Sequence, residues 1–250
     1  MSPRLRRIRR ELCARFGSGT LALIAIAPAY ACAREPSPLP RTEPAAVQAS
    51  ATIPLRDAEL ARRGPRREVL DLALSARECA RARGRIDSPL LTVVDYSLPS
   101  VQKRLWVIDV ASGTILFHEL VAHGRNSGEN LAVSFSNENG SKKSSLGLFR
   151  TADVYDGGHG ITLRLVGLEN GVNDHAEERA IVIHGAVYVS DGHIRKLGRL
   201  GRSWGCPALD VAVARTVIER IRGGSALFVY YPDPDWLRTS EFLHCDARPE

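Results

Sequence analysis

Apolar residues follow a helical spacing in one early segment of the chain and a strand spacing beyond it. Between Pro65 and Arg83 they recur three or four positions apart, and Gly84 follows as a stop signal, which predicts an amphipathic helix. After Asp87 the pattern changes to short apolar runs that are rich in β-branched residues. These runs predict strands at Leu90–Val94, Arg104–Val110, Thr114–Val121, Ile161–Leu168, Ala180–Val189 and Ala226–Tyr231. The second and third are predicted to form a hairpin, because only the short Gly-containing segment Ala111–Gly113 separates them.

A long polar stretch and one strong helix interrupt this β pattern. Gly124–Ser145 is rich in Asn, Ser and Gly, and a loop of that length inside a compact domain is usually functional. Ala208–Arg222 carries apolar residues on one helical face and ends at Gly223-Gly224, which predicts a second helix. The predicted fold class is therefore mainly β (α+β), with one or two helices.

Residues 1–33 have the composition of an export signal. Six arginines precede the apolar run Leu21–Ala27, and the small-residue run Ala29–Ala33 follows. These are the three parts of a secretory signal. The apolar run is well short of the roughly 20 residues that span a bilayer, so a cleaved signal is favoured over a basic amphipathic helix or an anchor. Cys32 is a candidate for lipoprotein attachment, although the residues before it fit that pattern poorly.

Prolines separate this signal from the domain that follows. Five of them lie in residues 34–54 among Ala, Ser, Thr and Gln, a composition typical of an extended linker. The expected organisation is a signal at 1–33, a linker at 34–64, a folded domain at 65–232 and a C-terminal tail at 233–250. We expect an exported protein of the periplasm or cell envelope, without stable membrane insertion once the signal is cleaved.

The charge distribution argues against nucleic acid as a partner. The 250 residues carry 34 Lys+Arg and 28 Asp+Glu, a net charge of +6, with 44% hydrophobic residues, which is ordinary for a globular protein. Residues 1–33 hold six of the basic residues and one acidic residue, so 28 basic and 27 acidic residues remain beyond them. A nearly neutral mature chain lacks the excess of positive charge that a polyanion would require.

Cys206 occupies the position that most strongly suggests chemistry. It precedes Pro207 and the second predicted helix, and proline is favoured at the first helical position, so the sequence predicts Cys206 at the helix N-cap. Free N–H groups and the positive end of the helix dipole would there lower the pKa of the thiol and bind an oxyanion. The alternative is a buried cysteine that acts as a small apolar side chain.

A thiol nucleophile needs a base, and His184 is the candidate. It follows the apolar run Ala180–Ile183 and precedes Gly185, which places it on a strand. Spacing alone does not select it, because the chain also contains His118, His123, His159, His175, His193 and His244.

Three separated motifs together resemble a known family. Ile183–Ala186 (IHGA) precedes Ser203–Cys206 (SWGC), and Ser144–Phe149 (SSLGLF) lies upstream of both. This order is similar to the L,D-transpeptidase (YkuD-type) catalytic domain, in which a His-Gly segment precedes Ser-His-Gly-Cys and a Thr-Pro-x-Gly-x-Phe element lies upstream. Further matching segments, which resemble the murein L,D-transpeptidase subgroup and extend the match over about residues 68–231, are Val121–Gly124, Phe135–Asn137 and Gly198–Ala208.

The resemblance implies a fold, a reaction and residue roles. The fold would be a β-sandwich or barrel with one helix after the cysteine and an N-terminal helix packed against it. Cys206 would attack the third-residue carbonyl of a peptidoglycan tetrapeptide stem, releasing terminal D-Ala and forming a thioester. The acyl group would then pass to the side-chain amine of a second stem, giving a 3–3 cross-link. His184 would act as base and then acid, oriented by the carbonyl of Gly185, and no metal or organic cofactor is required.

Substrate contacts are expected around the same motifs. Trp204 stands where many family members have His, and Pro207-Ala208 replace an aliphatic–polar pair, which leaves recognition of donor and acceptor open. The candidate substrate-binding residues are Ser203, Trp204, Gly205, Arg202, Arg199, His159 and Tyr155.

Cysteine usage in an exported protein suggests a disulfide. If the signal is removed beyond Cys32, the remaining cysteines are Cys79, Cys206 and Cys245. An oxidising compartment tends to pair cysteines, whereas a nucleophile must stay free. We therefore predict a Cys79–Cys245 disulfide that ties the N-terminal helix to the C-terminal tail.

Other functions remain open at this point. An L,D-carboxypeptidase or murein-trimming hydrolase would use water as the acceptor and carry the same signature. A metal hydrolase is weaker, because no His-Glu-x-x-His is present and the grouping of Asp174, His175 and Glu177 is looser than metal ligation requires. A wall-binding module without catalytic activity is disfavoured by the presence of both Cys206 and His184, each next to glycine.

Overall fold

The computed structural model describes residues 58–245, with side chains from Leu60 onward. The expected export signal, Cys32 and most of the expected linker lie outside these residues. The helices are α1 (Ala58–Arg63), α2 (Arg67–Ala82), α3 (Asp191–Leu197), α4 (Val211–Ile221) and α5 (Pro234–Thr239). The strands are β1 (Leu90–Asp95), β2 (Leu105–Asp109), β3 (Thr114–Glu119), β4 (Gly147–Gly157), β5 (Gly160–Gly167), β6 (Val182–Gly185), β7 (Ala208–Leu209) and β8 (Ala226–Tyr230).

All eight strands belong to one sheet that closes almost completely on itself. Their order is β3-β2-β1-β8-β4-β5-β6-β7, with parallel pairing for β1–β8 and β6–β7 and antiparallel pairing elsewhere. Just beyond edge strand β3, Ala122 exchanges backbone hydrogen bonds with Ala208 of the other edge, at N–O distances of 2.9 and 3.4 Å. This pair joins the two edges and makes the sheet barrel-like. The mainly β fold class predicted from the sequence is confirmed.

Two amphipathic helices cover the outside of this sheet. α2 packs on β1 and β8, and α4 packs on β5 and β6. Burial of each large aliphatic side chain on these faces stabilises the fold by about 1.5–3 kcal/mol. The buried apolar residues are Val69, Leu70, Ala73, Ala76 and Ala80 of α2, and Ala214, Val217, Ile218 and Ile221 of α4. No helix within residues 58–245 is both long enough and apolar enough to cross a membrane.

The helix predicted to follow Cys206 begins later than its apolar pattern indicates. Ala208 and Leu209 form strand β7, paired in parallel with His184 and Gly185, and α4 starts only at Val211. The side chain of Asp210 is the N-cap, accepting a hydrogen bond from the backbone N–H of Ala212 at 2.9 Å. The prediction that Cys206 caps this helix is therefore wrong, because the intervening residues have their backbone hydrogen bonds in the sheet.

Other boundaries also differ from the prediction, although five of the six predicted strands and the first helix are found within two residues of their expected ends. The run Ala180–Val189 contains only the short strand β6, because Ala180 adopts a positive φ of 52° in the turn before it. The long strand β4 was not predicted, because a register shift between Thr151 and Val154 breaks the alternation of its side chains. The short helix α1 lies at the end of the stretch expected to be a linker.

A disulfide fastens the C-terminal segment to α2. Cys79 and Cys245 are bonded, with their Cα atoms 5.6 Å apart, which confirms the predicted pairing. Trp236 of α5 is buried, and its indole N–H donates to a carboxylate oxygen of Glu169 at 3.0 Å. The other oxygen of Glu169 accepts from the backbone N–H of Leu148 at 2.6 Å. The segment expected to be a tail is thus packed against the barrel up to Cys245.

Removing the disulfide is expected to destabilise the domain without changing its fold. The Cys79→Ala/Cys245→Ala double variant should lose about 2–4 kcal/mol of unfolding free energy, because the unfolded chain is no longer cross-linked over a long loop. Urea denaturation of the oxidised parent and the double variant measures the difference. Dithiothreitol should lower the stability of the parent to that of the variant and leave the variant unchanged. Equal stability of parent and variant would contradict this expectation.

Candidate active site

The loop that carries Cys206 is shaped by hydrogen bonds from Ser203. Its hydroxyl donates to the carbonyl of Cys206 at 2.6 Å and accepts the backbone N–H of Gly205 at 3.1 Å. Its backbone N–H donates to the carbonyl of His123, and its carbonyl accepts from Arg125. Ser203 is buried, with 4% of its surface exposed. The structure therefore places this candidate substrate residue inside the loop, where it holds the cysteine in position.

Gly205 is required by the backbone that leads into Cys206. Its φ of 128° is a conformation that side chains rarely adopt, and an added Cβ would lie 2.9 Å from the carbonyl oxygen of Lys143. The hydroxyl of Ser144 donates to the carbonyl of Gly205 at 3.0 Å and accepts from the N–H of Gly124 at the same distance. The SSLGLF motif thus contributes its first serine to the support of the cysteine loop.

The thiol of Cys206 lies against the start of β6. Its Sγ is 3.6 Å from the carbonyl oxygen of Ala180, and Cys206 is the free cysteine of the described chain. Burial raises the pKa of the thiol above its ordinary value, more than the N–H of Val182 and the positive charge of Arg179 lower it. This direction is opposite to the one expected from the sequence, and the helix terminus expected to bind an oxyanion does not lie at Cys206. The first turn of α4 lies beyond β7, and the N–H of Ala212 in that turn already donates to the carboxylate of Asp210.

Arg179 is the charged group next to the cysteine, and sequence reasoning missed it. Its guanidinium donates to the carbonyls of Ser136 and Lys143 at 2.6 and 2.7 Å, and also to the hydroxyls of Ser141 and Ser145. These acceptors come from the end of the long polar stretch that the sequence marked as functional. They are uncharged, so the positive charge of Arg179 is left to act on the thiolate. Nothing in the sequence pattern around Arg179 distinguishes it from the other 30-odd arginines and lysines.

His184 is held as a neutral imidazole with one nitrogen available. Its Nδ1 lies 3.0 Å from the carbonyl oxygen of Gly185, and because a carbonyl can only accept, Nδ1 carries the proton. Nε2 therefore keeps its lone pair. Burial lowers the pKa of His184 below its ordinary value, with a smaller contribution from His159. The parallel pairing of His184 with Ala208 places Cys206, two residues earlier, beside the strand that carries the histidine.

Two further candidates lie on the same side of the sheet as His184. The ring of His159, in the turn between β4 and β5, stacks on the ring of His184 with centroids 4.6 Å apart. Tyr155, Thr162 and His184 are opposite one another across β4, β5 and β6. The guanidinium of Arg164 lies 4.4 Å from the centroid of the Tyr155 ring. The structure thus brings His159 into contact with the candidate base and places Tyr155 two strands away.

The arginines before the cysteine motif are engaged by the protein itself. Arg202 donates to the carbonyls of Arg125 and Gly128, both at 3.0 Å, and pairs with Glu129 at 2.7 Å. Arg199 pairs with the other oxygen of Glu129 at 2.8 Å. Trp204, in contrast, is 71% exposed. Of this group, the indole ring is the part most available to a ligand.

A buried polar cluster supports the floor of the site and was also missed. Arg104 is fully buried, donates to the carbonyls of Val121 and Leu98, and approaches Nδ1 of His123 at 2.8 Å. A guanidinium only donates, so Nδ1 of His123 accepts, and Nε2 donates to the carbonyl of Gly128 at 3.3 Å. Burial and the charge of Arg104 lower the pKa of His123 to about 4, and burial raises the pKa of Tyr96 to about 12. His123 is thus neutral and structural.

The remaining histidines lie outside this arrangement. His118 stacks on Trp106 with centroids 4.7 Å apart, and His244 contacts the carbonyl of Leu237. His175 is 3.9 Å from Asp174, without a third ligand. Across residues 58–245 no group of three or more His, Cys, Asp or Glu side chains is placed to hold a metal ion.

Comparison with known proteins identifies the family. The L,D-transpeptidase catalytic domain family model matches residues 62–230, which is more than half of the chain. No curated protein matches the chain significantly.

Several solved structures similar to the chain are named L,D-transpeptidases. One from Mycobacterium smegmatis is 13% identical with a TM-score of 0.36, covering 58% of this chain and 59% of its own. L,D-transpeptidase 3 from Mycobacterium tuberculosis is 12% identical with a TM-score of 0.37, covering 57% and 61%. One from Stackebrandtia nassauensis is 15% identical with a TM-score of 0.34, covering 65% and 68%. The match thus spans about three fifths of the length of the two mycobacterial proteins. On the match to the family model, which agrees with the motifs and the order in which they occur, the chain belongs to the L,D-transpeptidase catalytic domain family.

Proposed function

We propose that the chain is a cysteine-dependent L,D-transpeptidase that joins peptidoglycan stem peptides through a thioester intermediate. The observation that supports this proposal is the pairing of β6 with β7, which brings the strand of His184 next to the two residues that follow Pro207, while the thiol of Cys206 is free and Nδ1 of His184 is fixed by Gly185. Membership of the family supplies the substrate class. A nucleophile and an oriented base are the two groups that acyl transfer from an amide needs.

The first half of the reaction follows from the protonation states. At neutral pH the thiol of Cys206 is protonated and His184 is uncharged, because burial raises the pKa of the first and lowers that of the second. Nε2 of His184 takes the thiol proton as Sγ attacks the carbonyl of the third stem residue. The imidazolium then gives that proton to the nitrogen of terminal D-Ala as the amide bond breaks. D-Ala leaves as an amine, and the acyl group remains on Sγ.

The second half repeats these steps in reverse order. The neutral side-chain amine of a second stem attacks the thioester carbonyl and loses a proton to Nε2 of His184. The C–S bond breaks, and the leaving thiolate of Cys206 recovers the proton from the imidazolium. Arg179 stabilises that thiolate because its positive charge faces the sulfur while its N–H groups are held by neutral acceptors. If water replaces the amine, the same residues give an L,D-carboxypeptidase, and product analysis separates the two reactions.

Substitution of either catalytic residue is expected to abolish or strongly reduce turnover of a disaccharide-tetrapeptide. Cys206→Ala should show no D-Ala release, and His184→Ala should lose about 10²–10⁴-fold in rate, since a general base contributes that much. Mass spectrometry of the products measures both. Cross-linked dimer with released D-Ala supports transpeptidation, whereas tripeptide alone assigns carboxypeptidation.

The matched control for this experiment is His175→Ala, which removes an exposed histidine outside the site and should retain the parent rate. Activity that persists in Cys206→Ala would rule out the cysteine mechanism.

The alkylation rate of Cys206 is expected to rise only at a higher pH than the rate of a free cysteine. Iodoacetamide reacts with the thiolate, and burial raises the pKa of this thiol, so half of the maximal rate should be reached above the roughly 8.5 of a free cysteine. Peptide mass spectrometry at Cys206 reports the rate at each pH, with a short unstructured cysteine peptide as the reference. A plateau already reached below neutral pH would show instead that the resting enzyme holds a thiolate–imidazolium pair.

Replacing Arg179 is expected to raise the pH at which Cys206 reaches half of its maximal alkylation rate. Arg179→Gln removes the positive charge that lowers the pKa of Cys206, so the alkylation midpoint should lie at a higher pH than in the parent. Arg179→Lys keeps the charge and should move it less, although it supplies fewer hydrogen bonds to the surrounding carbonyls. Circular dichroism checks that both variants are folded. An unchanged midpoint in folded Arg179→Gln would assign Arg179 a purely structural role.

A further inference from the structure

A basic cavity opens beside the cysteine loop and has no part in the chemistry described above. It has a volume of about 300 Å³, and its lining includes Arg125, Arg199, Arg202, Tyr188 and Trp204. This volume is at the lower end of the range of about 300–1,000 Å³ typical of small-molecule sites, so it fits a short part of a ligand. Trp204 lies two residues before Cys206, and Tyr188 is close enough to Cys206 to interact with it electrostatically. The cavity therefore adjoins the nucleophile.

Positive charge in this cavity exceeds the negative charge that faces it. Arg199 and Arg202 share one carboxylate, that of Glu129, at 2.8 and 2.7 Å. The guanidinium of Arg125 makes no hydrogen bond or ion pair with any residue in the described range 58–245. Its backbone is nevertheless fixed, because its N–H donates to the carbonyl of Ser203 and its carbonyl accepts from Arg202. Arg125 is thus an unpaired cation on a backbone that is tied to the cysteine loop.

Besides the arginines, Tyr188 and His193, the walls include two exposed apolar side chains. Trp204 is 71% exposed and Leu197 is 48% exposed, and both line the cavity. The ammonium of Lys142 lies 4.9 Å from the centroid of the Trp204 ring, which adds a further positive charge near the opening. A ligand that suits these walls combines an anionic group with an apolar side chain about the size of one amino-acid residue.

We propose that this cavity binds a carboxylate of the acidic stem peptide, with Arg125 as the residue that recognises it and Trp204 as the wall against which the peptide packs. This proposal rests on the proposed function, which supplies a stem with free carboxylates. An attacking amine is not a suitable occupant, because the surplus of guanidinium groups disfavours an ammonium group there. Arg199 and Arg202 shape the cavity through Glu129 and add to its positive field.

The test measures binding in the absence of turnover. In a Cys206→Ala background, a change in tryptophan fluorescence on binding reports on Trp204. The other two tryptophans, Trp106 and Trp236, are each only 4% exposed, so a ligand in the cavity does not contact them and their emission is a constant background. The probes are a tetrapeptide stem with free carboxylates and the same stem fully amidated. Four proteins are compared, namely the Cys206→Ala parent and the same parent with Arg125→Gln, Arg125→Lys or Arg220→Gln. Arg220 is an exposed residue of α4, so this matched control removes the same charge from another surface.

Arg125→Gln is expected to weaken binding of the acidic stem by about tenfold, the loss of one charge-assisted hydrogen bond, and to leave the amidated stem unaffected. Arg220→Gln should bind like the parent, and Arg125→Lys should recover part of the affinity. Equal binding of the acidic stem by the parent and Arg125→Gln overturns the assignment of Arg125. That result leaves the proposed reaction standing, since the reaction is judged by D-Ala release. A parent that binds neither form of the stem overturns the assignment of the cavity, whereas absence of D-Ala release by the unsubstituted protein overturns the proposed function.

Discussion

The backbone pairing between Ala122 and Ala208 is the contact on which the site depends. It joins the segment that follows β3 to the short strand β7, and so closes the sheet. On one side of this contact, Gly124 pairs with Ser203 and leads into the cysteine loop. On the other side, β7 pairs with β6, which carries His184. Cys206 and His184 are therefore held by the same few backbone hydrogen bonds that complete the barrel, rather than by a helix terminus.

Closure at this point is supported from inside by a buried cation. Arg104 has no exposed surface, and burying a charge without compensation costs several kcal/mol. Carbonyl acceptors from Val121 and Leu98, together with Nδ1 of His123, satisfy its N–H groups, and its guanidinium lies 4.9 Å from the ring of Tyr96. Val121 and His123 flank Ala122, which makes the closure, and Leu98 lies after β1. The cation thus fixes the path of the chain that leaves β3 and runs beside the cysteine loop.

The parts of the fold that the sequence predicts are those in which local pattern and tertiary pairing agree. Strands β1, β2, β3, β5 and β8 alternate or are buried as the pattern indicates, and α2 has an uninterrupted apolar face. The start of α4 was misplaced because Ala208 and Leu209 are apolar in either a helix or a strand, and only pairing with β6 decides between them. Cys206 and His184 stand out through their motifs. Arg179 does not, because its proximity to the thiol is created by the long polar loop that folds around it.

The electrostatics of the site favour a neutral resting pair that becomes charged during attack. Burial opposes charge on both Cys206 and His184, which favours the neutral forms over an ion pair. In the proposed reaction, charge appears on the imidazole and the substrate oxygen only as the thiol proton is transferred, and the guanidinium of Arg179 is already held in place by its hydrogen bonds. A preorganised environment of this kind stabilises a transition state more than a ground state. A raised pKa of the cysteine is thus compatible with the proposed reaction.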